Sequence, residues 1–176
     1  MATALFAATL VLGIVVPLDL FLEMGQELGE LMEPLVEIDP FLLFLLIFLN
    51  NAVKTLAVIG LGILIGIPPV LFIGVNGLVI GAVISWVKSL EGLGYTVAAI
   101  APHGVIEIPM MLLATALSLM VGWESINWIR RRESSVKSQL SASLKLYLKV
   151  LLPGLAVAAA IEAFATPWVV GLISGG

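Results

Sequence analysis

Residues 41–87 read FLLFLLIFLNNAVKTLAVIGLGILIGIPPVLFIGVNGLVIGAVISWV, two long apolar runs separated by the pair Pro68-Pro69. A transmembrane helix needs about 20 predominantly apolar residues, and each run is close to that length. Because proline lacks a backbone donor and restricts the residue before it, the pair predicts a break between two helices. This stretch therefore predicts two membrane spans, over residues 41–67 and 70–87.

The rest of the chain has the same apolar character. Its 176 residues are 61% hydrophobic and 11% charged, with a mean hydropathy of +1.18, whereas a soluble domain carries about 25% charged residues. We predict an all-α, polytopic membrane protein, a single domain of residues 1–176 in the lipid bilayer. Further spans over residues 2–22, 103–129 and 146–173 bring the number to about five. The first run lacks the basic start of a signal peptide, so we expect it to be retained.

Two other segments are too polar or too short to span. Seven of the twelve acidic residues lie between Asp19 and Asp39, with no Lys or Arg among them. They predict an amphipathic interfacial helix over residues 23–39, the alternative being a solvated acidic loop. Residues 93–101 are apolar but too short to cross. With Pro102 they predict a re-entrant half-helix, the alternative being an interfacial helix.

The basic residues are clustered, which predicts the topology. Six of the eight Lys and Arg residues lie between Arg130 and Lys149. Cytoplasmic loops carry an excess of these residues, so the loop 130–145 is predicted to be cytoplasmic. Five spans then place the N-terminus in the cytoplasm and the C-terminus outside. Because this cluster lies beside a span, we interpret it as a topology signal and expect no nucleic-acid partner.

Several polar residues lie inside the predicted spans, where they are costly and often mark a site. His103 and Glu107, in the run PHGVIEIP, are one helical turn apart on a shared face. Glu162 lies at a similar depth, and one imidazole with two carboxylates is an acceptable ligand set for a divalent metal such as zinc. The remaining polar residues predict a buried polar cluster of Asn50, Asn51, Lys54 and Asn76, in which Lys54 pairs with Glu107 or Glu162.

Three functions are compatible with this pattern. The polar residues can lock broken helices together in a scaffold, bind a cation or proton in a small transporter or channel, or hold a metal for hydrolysis. Neither H-E-x-x-H nor G-x-S-x-G occurs, and both are signatures of hydrolases, so we favour a non-enzymatic role. The spacings Gly62-x-x-x-Gly66 and Gly77-x-x-x-Gly81 predict close helix packing, within the chain or in a homo-oligomer.

Four motifs carry a family resemblance over roughly residues 40–170: FLNNAVK (48–54), NGLVIG (76–81), PHGVIEIP (102–109) and IEAFATP (161–167). At these motifs the chain resembles the stage II sporulation protein M family of multi-pass membrane proteins. The resemblance implies a membrane scaffold with membrane or cell-envelope protein partners. In spore-forming bacteria the family member looks like an anchor for sporulation proteins D and P, which remodel peptidoglycan during engulfment. The resemblance implies no catalytic residues.

Overall fold

A computed structural model of the protein describes residues 1–16 and 38–174, with His103 and Ser174 as backbone positions only. The regular structure in these ranges is helical. It consists of α1 (Ala2–Val15), α2 (Pro40–Leu61), α3 (Ile67–Ile129), α4 (Val136–Leu146), a π-helical turn (Tyr147–Leu151), α5 (Leu152–Ala160), a second π-helical turn (Ile161–Ala165) and α6 (Thr166–Ser174). The predicted interfacial helix over residues 23–39 lies almost wholly outside the described residues.

Four helical stretches of the described chain are long and apolar enough to cross a membrane: Pro40–Leu61, Ile67–Pro102, Gly104–Ile129 and Val136–Ile173. A fifth apolar helix, α1, is shorter, and its 14 residues extend roughly 21 Å at 1.5 Å per residue. The described part of the protein is therefore all-helical, and the length and composition of these stretches make it a multi-pass membrane protein. The first span over residues 2–22 stays a prediction, since residues 17–22 are outside the described ranges.

Helix α2 begins and ends at identifiable residues. The Asp39 carboxylate accepts hydrogen bonds from the backbone amides of Phe41 (2.9 Å) and Leu42 (3.2 Å), which satisfies two of the free amides at the helix start. The helix ends in a turn over residues 62–66, whose last two residues have left-handed φ angles of 58° and 75°.

The break between α2 and α3 therefore precedes the proline pair, whereas the sequence predicts it at the pair. Pro68 and Pro69 lie in the first turn of α3, where the missing amide of proline costs nothing because that amide has no helical partner. Within the turn, the amides of Gly62, Leu64 and Gly66 donate to carbonyls three or four residues back, at 3.0–3.1 Å.

Helix α3 is a hairpin of two arms, residues 67–91 and 93–129, which reverse at Gly92. Gly92 is the only residue inside α3 with non-helical backbone angles (φ 81°, ψ 173°), a conformation almost restricted to glycine. One hydrophobic cluster joins Ile73 to Met111, with Ile80 and Ile108 packed against it. Ile73 and Met111 are each nineteen residues from Gly92, so the two arms fold back on each other and are antiparallel. The sequence predicts separate spans over 70–87 and 103–129 with a break before Pro102, but the helix continues through 93–102 and the break is at Gly92.

The other helices lie along these two arms. Helix α1 runs parallel to the first arm, since Gly77 lies against Phe6 and Gly81 lies against Leu10. Helix α2 and the turn after it run parallel to the second arm, because the contacts between them advance in the same direction along both. These directions agree with the alternating spans of the predicted topology. The absolute orientation, with a cytoplasmic N-terminus, stays a prediction.

The C-terminal helical stretch runs antiparallel to the second arm, with Gly154 against Met110. It begins at Val136, inside the loop predicted over 130–145, so only residues 130–135 are non-helical there. Each of its two π-helical turns ends two residues before a proline, Pro153 or Pro167. A proline removes one backbone donor from a helix, and the wider turn keeps the two helical segments continuous around it.

Candidate functional site in the helix bundle

The predicted metal ligands come from different helical segments. Glu107 is half-buried on the second arm of α3, and Glu162 is half-buried inside the second π-helical turn. The side chain of His103 lies outside the described residues. Among the side chains that are described, no three His, Asp or Glu residues are grouped as metal ligands. The site at His103, Glu107 and Glu162 stays a prediction.

The predicted polar cluster is divided between two surfaces. Asn50 and Lys54 lie on the exposed face of α2, and Asn51 and Asn76 are half-buried. The Asn76 amide donates to the Phe72 carbonyl of its own helix at 2.7 Å. The described residues show no ion pair between Lys54 and Glu162. The register of α2 on its neighbours therefore turns Lys54 outward instead of into the bundle.

The polar groups that the described part of the bundle buries are mainly hydroxyls, and none of them belongs to the predicted polar cluster or metal site. They are Thr55, Thr96, Thr115, Ser118, Ser125 and Ser143, each at most 4% exposed. The first five donate to backbone carbonyls, and the Ser143 hydroxyl accepts from the Gln139 amide. Most of these bonds stay within one helix, as hydroxyls in spans commonly do.

Two hydroxyls instead connect separate helices. Ser118, on the second arm of α3, donates to the Val58 carbonyl of α2 at 2.5 Å. The Tyr147 hydroxyl donates to the Ala52 carbonyl of α2 at 2.9 Å, and its side chain is 4% exposed. Both bonds hold α2 in place, one against α3 and the other against the C-terminal helical stretch. No spacing in the sequence marks these two bonds, because they join residues that are distant along the chain.

Glycines allow α2 and the second arm to approach closely beside the Ser118 bond. A Cβ atom on Gly62 would lie 2.7 Å from the Ser118 Oγ and 3.0 Å from its carbonyl carbon, and one on Gly122 would lie 2.6 Å from the Gly66 amide nitrogen. Gly62 meets Ser118 and Gly66 meets Gly122, so the two helices run in the same direction. The predicted small-residue spacing is thereby confirmed as a packing feature inside the chain.

A second close approach joins α1 to the first arm of α3. A Cβ atom on Gly77 would lie 2.8 Å from the Phe6 carbonyl oxygen, and one on Gly81 would lie 3.0 Å from the Cα of Gly13. Helix α1 therefore packs against the surface that Gly77 and Gly81 form on the first arm. The glycine pairs predicted as packing faces are all occupied within one chain, and a homo-oligomer stays a prediction.

The end of α3 carries the basic cluster. Trp123 and Trp128 are 58% and 69% exposed, as expected of side chains at a membrane surface, and residues 130–132 after them are exposed arginines. The helix ends with Arg131 in a left-handed conformation (φ 53°), and the Arg132 amide donates to the Asn127 carbonyl at 3.0 Å. This is the hydrogen-bond pattern of a Schellman end, with arginine where glycine is usual.

Comparison with known proteins decides the family. The family described as Stage II sporulation protein M matches residues 2–167, which includes α1 and all the close helix contacts described above. The chain belongs to the stage II sporulation protein M family. The resemblance seen in the four motifs is thus confirmed, and it extends further towards the N-terminus than those motifs. No curated protein and no solved structure matches the chain.

Proposed function

We propose that this protein is a non-enzymatic membrane scaffold that anchors partner proteins. The observation that carries the proposal is the use of the buried hydroxyls, which are bonded to the helices themselves. Ser118 and Tyr147 hold α2 against two other helical segments, and buried polar groups with full partners give a bundle one defined arrangement. A bundle held in this way presents its outward surfaces in fixed positions, which is what an anchoring subunit requires.

Two outward surfaces are suited to partners. One is the exposed face of α2 with Asn50 and Lys54, and the other is the basic end at residues 130–132. The scaffold role implied by the family resemblance agrees with this interpretation, and membrane or cell-envelope proteins are the partners we expect. The predicted orientation places the basic end in the cytoplasm, accessible to soluble partners.

The scaffold proposal is tested by comparing native membranes with the purified protein. In native membranes we expect the chain to migrate in a complex larger than itself. When the chain is deleted, we expect its partner no longer to migrate in a complex of that size. In vesicles of neutral lipid, we expect the purified protein to pass protons and divalent cations no faster than empty vesicles do. A flux above that background, abolished by Glu162→Gln, would contradict the proposal.

Transport is the second candidate function, and one observation favours it. Glu162 is a half-buried carboxylate inside a π-helical turn, and such turns occur frequently at functional sites. A carboxylate in a span commonly faces an ion pathway or pairs with another group. The vesicle flux measurement described above separates the two functions, with Glu124→Gln, at the basic end of α3, as the matched control variant.

A further inference from the structure

The depth of Lys54 in the membrane follows from its neighbours. Helix α2 runs parallel to the second arm of α3, and the Ser118 hydroxyl bonds to the Val58 carbonyl. Lys54 lies one helical turn before Val58, so its level is that of Ala114, one turn before Ser118. The same register brings Gly62 against Ser118 and Gly66 against Gly122, which confirms it further along the helices.

Lys54 is far from both polar ends of the bundle. Glu124, whose carboxylate accepts a hydrogen bond from the Ser135 amide at 2.8 Å, marks one end and lies ten residues beyond Ala114. That separation is roughly 15 Å along a helix, and Asp39 at the other end of α2 is roughly 22 Å from Lys54. The hydrocarbon core of a bilayer is about 30 Å thick. Lys54 therefore lies near its middle.

The side chain of Lys54 faces away from the bundle. It belongs to an exposed stripe of α2 in which the other members are mainly apolar: Leu46, Leu49, Asn50, Val53, Ala57 and Leu61. A lysine stem extends about 6 Å, which lets residues near a helix end reach the membrane surface. That reach is much shorter than the roughly 15 Å to the nearer polar end. A charged ammonium facing hydrocarbon at this depth is costly and needs a partner.

We infer that the exposed face of α2 around Lys54 and Asn50 is a docking surface for a transmembrane helix of another protein that carries a carboxylate near the middle of its span. The carboxylate pairs with the Lys54 ammonium, and Asn50, one turn away on the same face, supplies an amide for a second hydrogen bond. Apolar neighbours on the stripe pack against the rest of the helix. This inference rests on the proposed scaffold function and specifies the chemistry of one partner.

A second copy of the chain is a poorer occupant. In a side-by-side dimer the two copies have the same depth, so a carboxylate at the level of Lys54 is required. Glu162 lies eight residues beyond Gly154, which contacts Met110, and its level differs from that of Lys54 by roughly 18 Å. Glu107 differs by roughly 10 Å. Of the carboxylates in the described spans of a second copy, neither Glu107 nor Glu162 is therefore within the reach of the lysine stem.

The test uses the full chain in vesicles of neutral lipid and a defined probe. The chain has no cysteine, so Ser135→Cys carries a single dye. The probe is a dye-labelled, leucine-rich transmembrane peptide with one central Glu, compared with the same peptide bearing Leu. Energy transfer reports association. We expect the Glu peptide to associate with the wild type about tenfold or more tightly than the Leu peptide does, because an unpaired buried charge is penalised.

Variants identify the residue responsible. Lys54→Met should abolish the preference for the Glu peptide, Lys54→Arg should retain it, and Lys149→Met, another exposed lysine, should leave it unchanged. Circular dichroism checks that each variant keeps its helix content. Equal binding of both peptides, or a preference that survives Lys54→Met, would overturn the inference. So would association between two labelled copies that depends on Lys54, since a second copy would then be the occupant.

The two proposals can fail separately. If the wild-type protein shows no preference for the Glu peptide and the native complex persists in cells that carry Lys54→Met, the scaffold proposal is supported and the docking surface is refuted. If the purified protein conducts ions but still prefers the Glu peptide through Lys54, the docking surface is supported and the scaffold proposal is refuted.

Discussion

Gly62→Ala is the sharpest test of how α2 is held. The new methyl group would lie against the backbone of Ser118, 3.0 Å from its carbonyl carbon and 2.7 Å from its Oγ, so the helices must separate. Such overpacking costs about 1–3 kcal/mol, and weakening the Ser118–Val58 hydrogen bond costs about 1 kcal/mol more. Alanine regains up to about 1 kcal/mol in helix propensity. We expect a net loss of about 1–3 kcal/mol in the free energy of unfolding.

Gly60→Ala is the matched control, because a Cβ atom on Gly60 has nothing within 4 Å. It should leave stability unchanged or raise it by up to about 1 kcal/mol. Ser118→Ala removes the hydrogen bond without the clash and should cost about 1 kcal/mol. The assay is unfolding of the purified protein by sodium dodecyl sulfate in mixed micelles, followed by circular dichroism. If Gly62→Ala were as stable as Gly60→Ala, the close approach of α2 and α3 would be refuted.

Two further predictions use the same assay. Tyr147→Phe removes the bond from the buried hydroxyl to the Ala52 carbonyl and should lower the free energy of unfolding by about 0.5–1.5 kcal/mol; an unchanged midpoint would mean that this bond does not hold α2. Arg131→Gly relieves a left-handed arginine and should raise the free energy of unfolding by about 0.5–1 kcal/mol. Arg130→Gly, where φ is −77°, is its control and should give no gain, so equal effects of the two changes would argue against the strained end.

The helix class and the approximate spans could be predicted from the sequence, because hydropathy depends on composition along the chain. The positions of the breaks could not. The turn at residues 62–66 is as apolar as the helices it joins, so hydropathy has no minimum there. The sequence predicts a break at the proline pair, although prolines are tolerated in the first turn of a helix. Gly92 reverses α3 through its backbone angles, which composition does not express.

The candidate site, like the fold, could be predicted from the sequence only in part. The sequence identifies which polar residues lie inside spans, and the glycine spacings correctly indicate close packing. It does not give the register of one helix on another, and that register decides whether a side chain faces inward. The sequence predicts that Lys54 pairs inside the bundle, but Lys54 lies on the exposed face of α2. Ser118 and Tyr147 make the bonds between helices, and their partners are 60 and 95 residues away along the chain.

The turn between α2 and α3 has a consequence for biogenesis. From residue 56 to residue 75 the chain contains no polar side chain, so the turn offers no charge on which the translocation machinery can act. Helix α2 and the first arm of α3 should therefore enter the bilayer together as a hairpin, and their direction is decided by charges elsewhere. The arginines at residues 130–132, beyond the second arm, are the nearest such cluster. Replacing them with neutral residues should change the orientation of the hairpin although none of them is part of it.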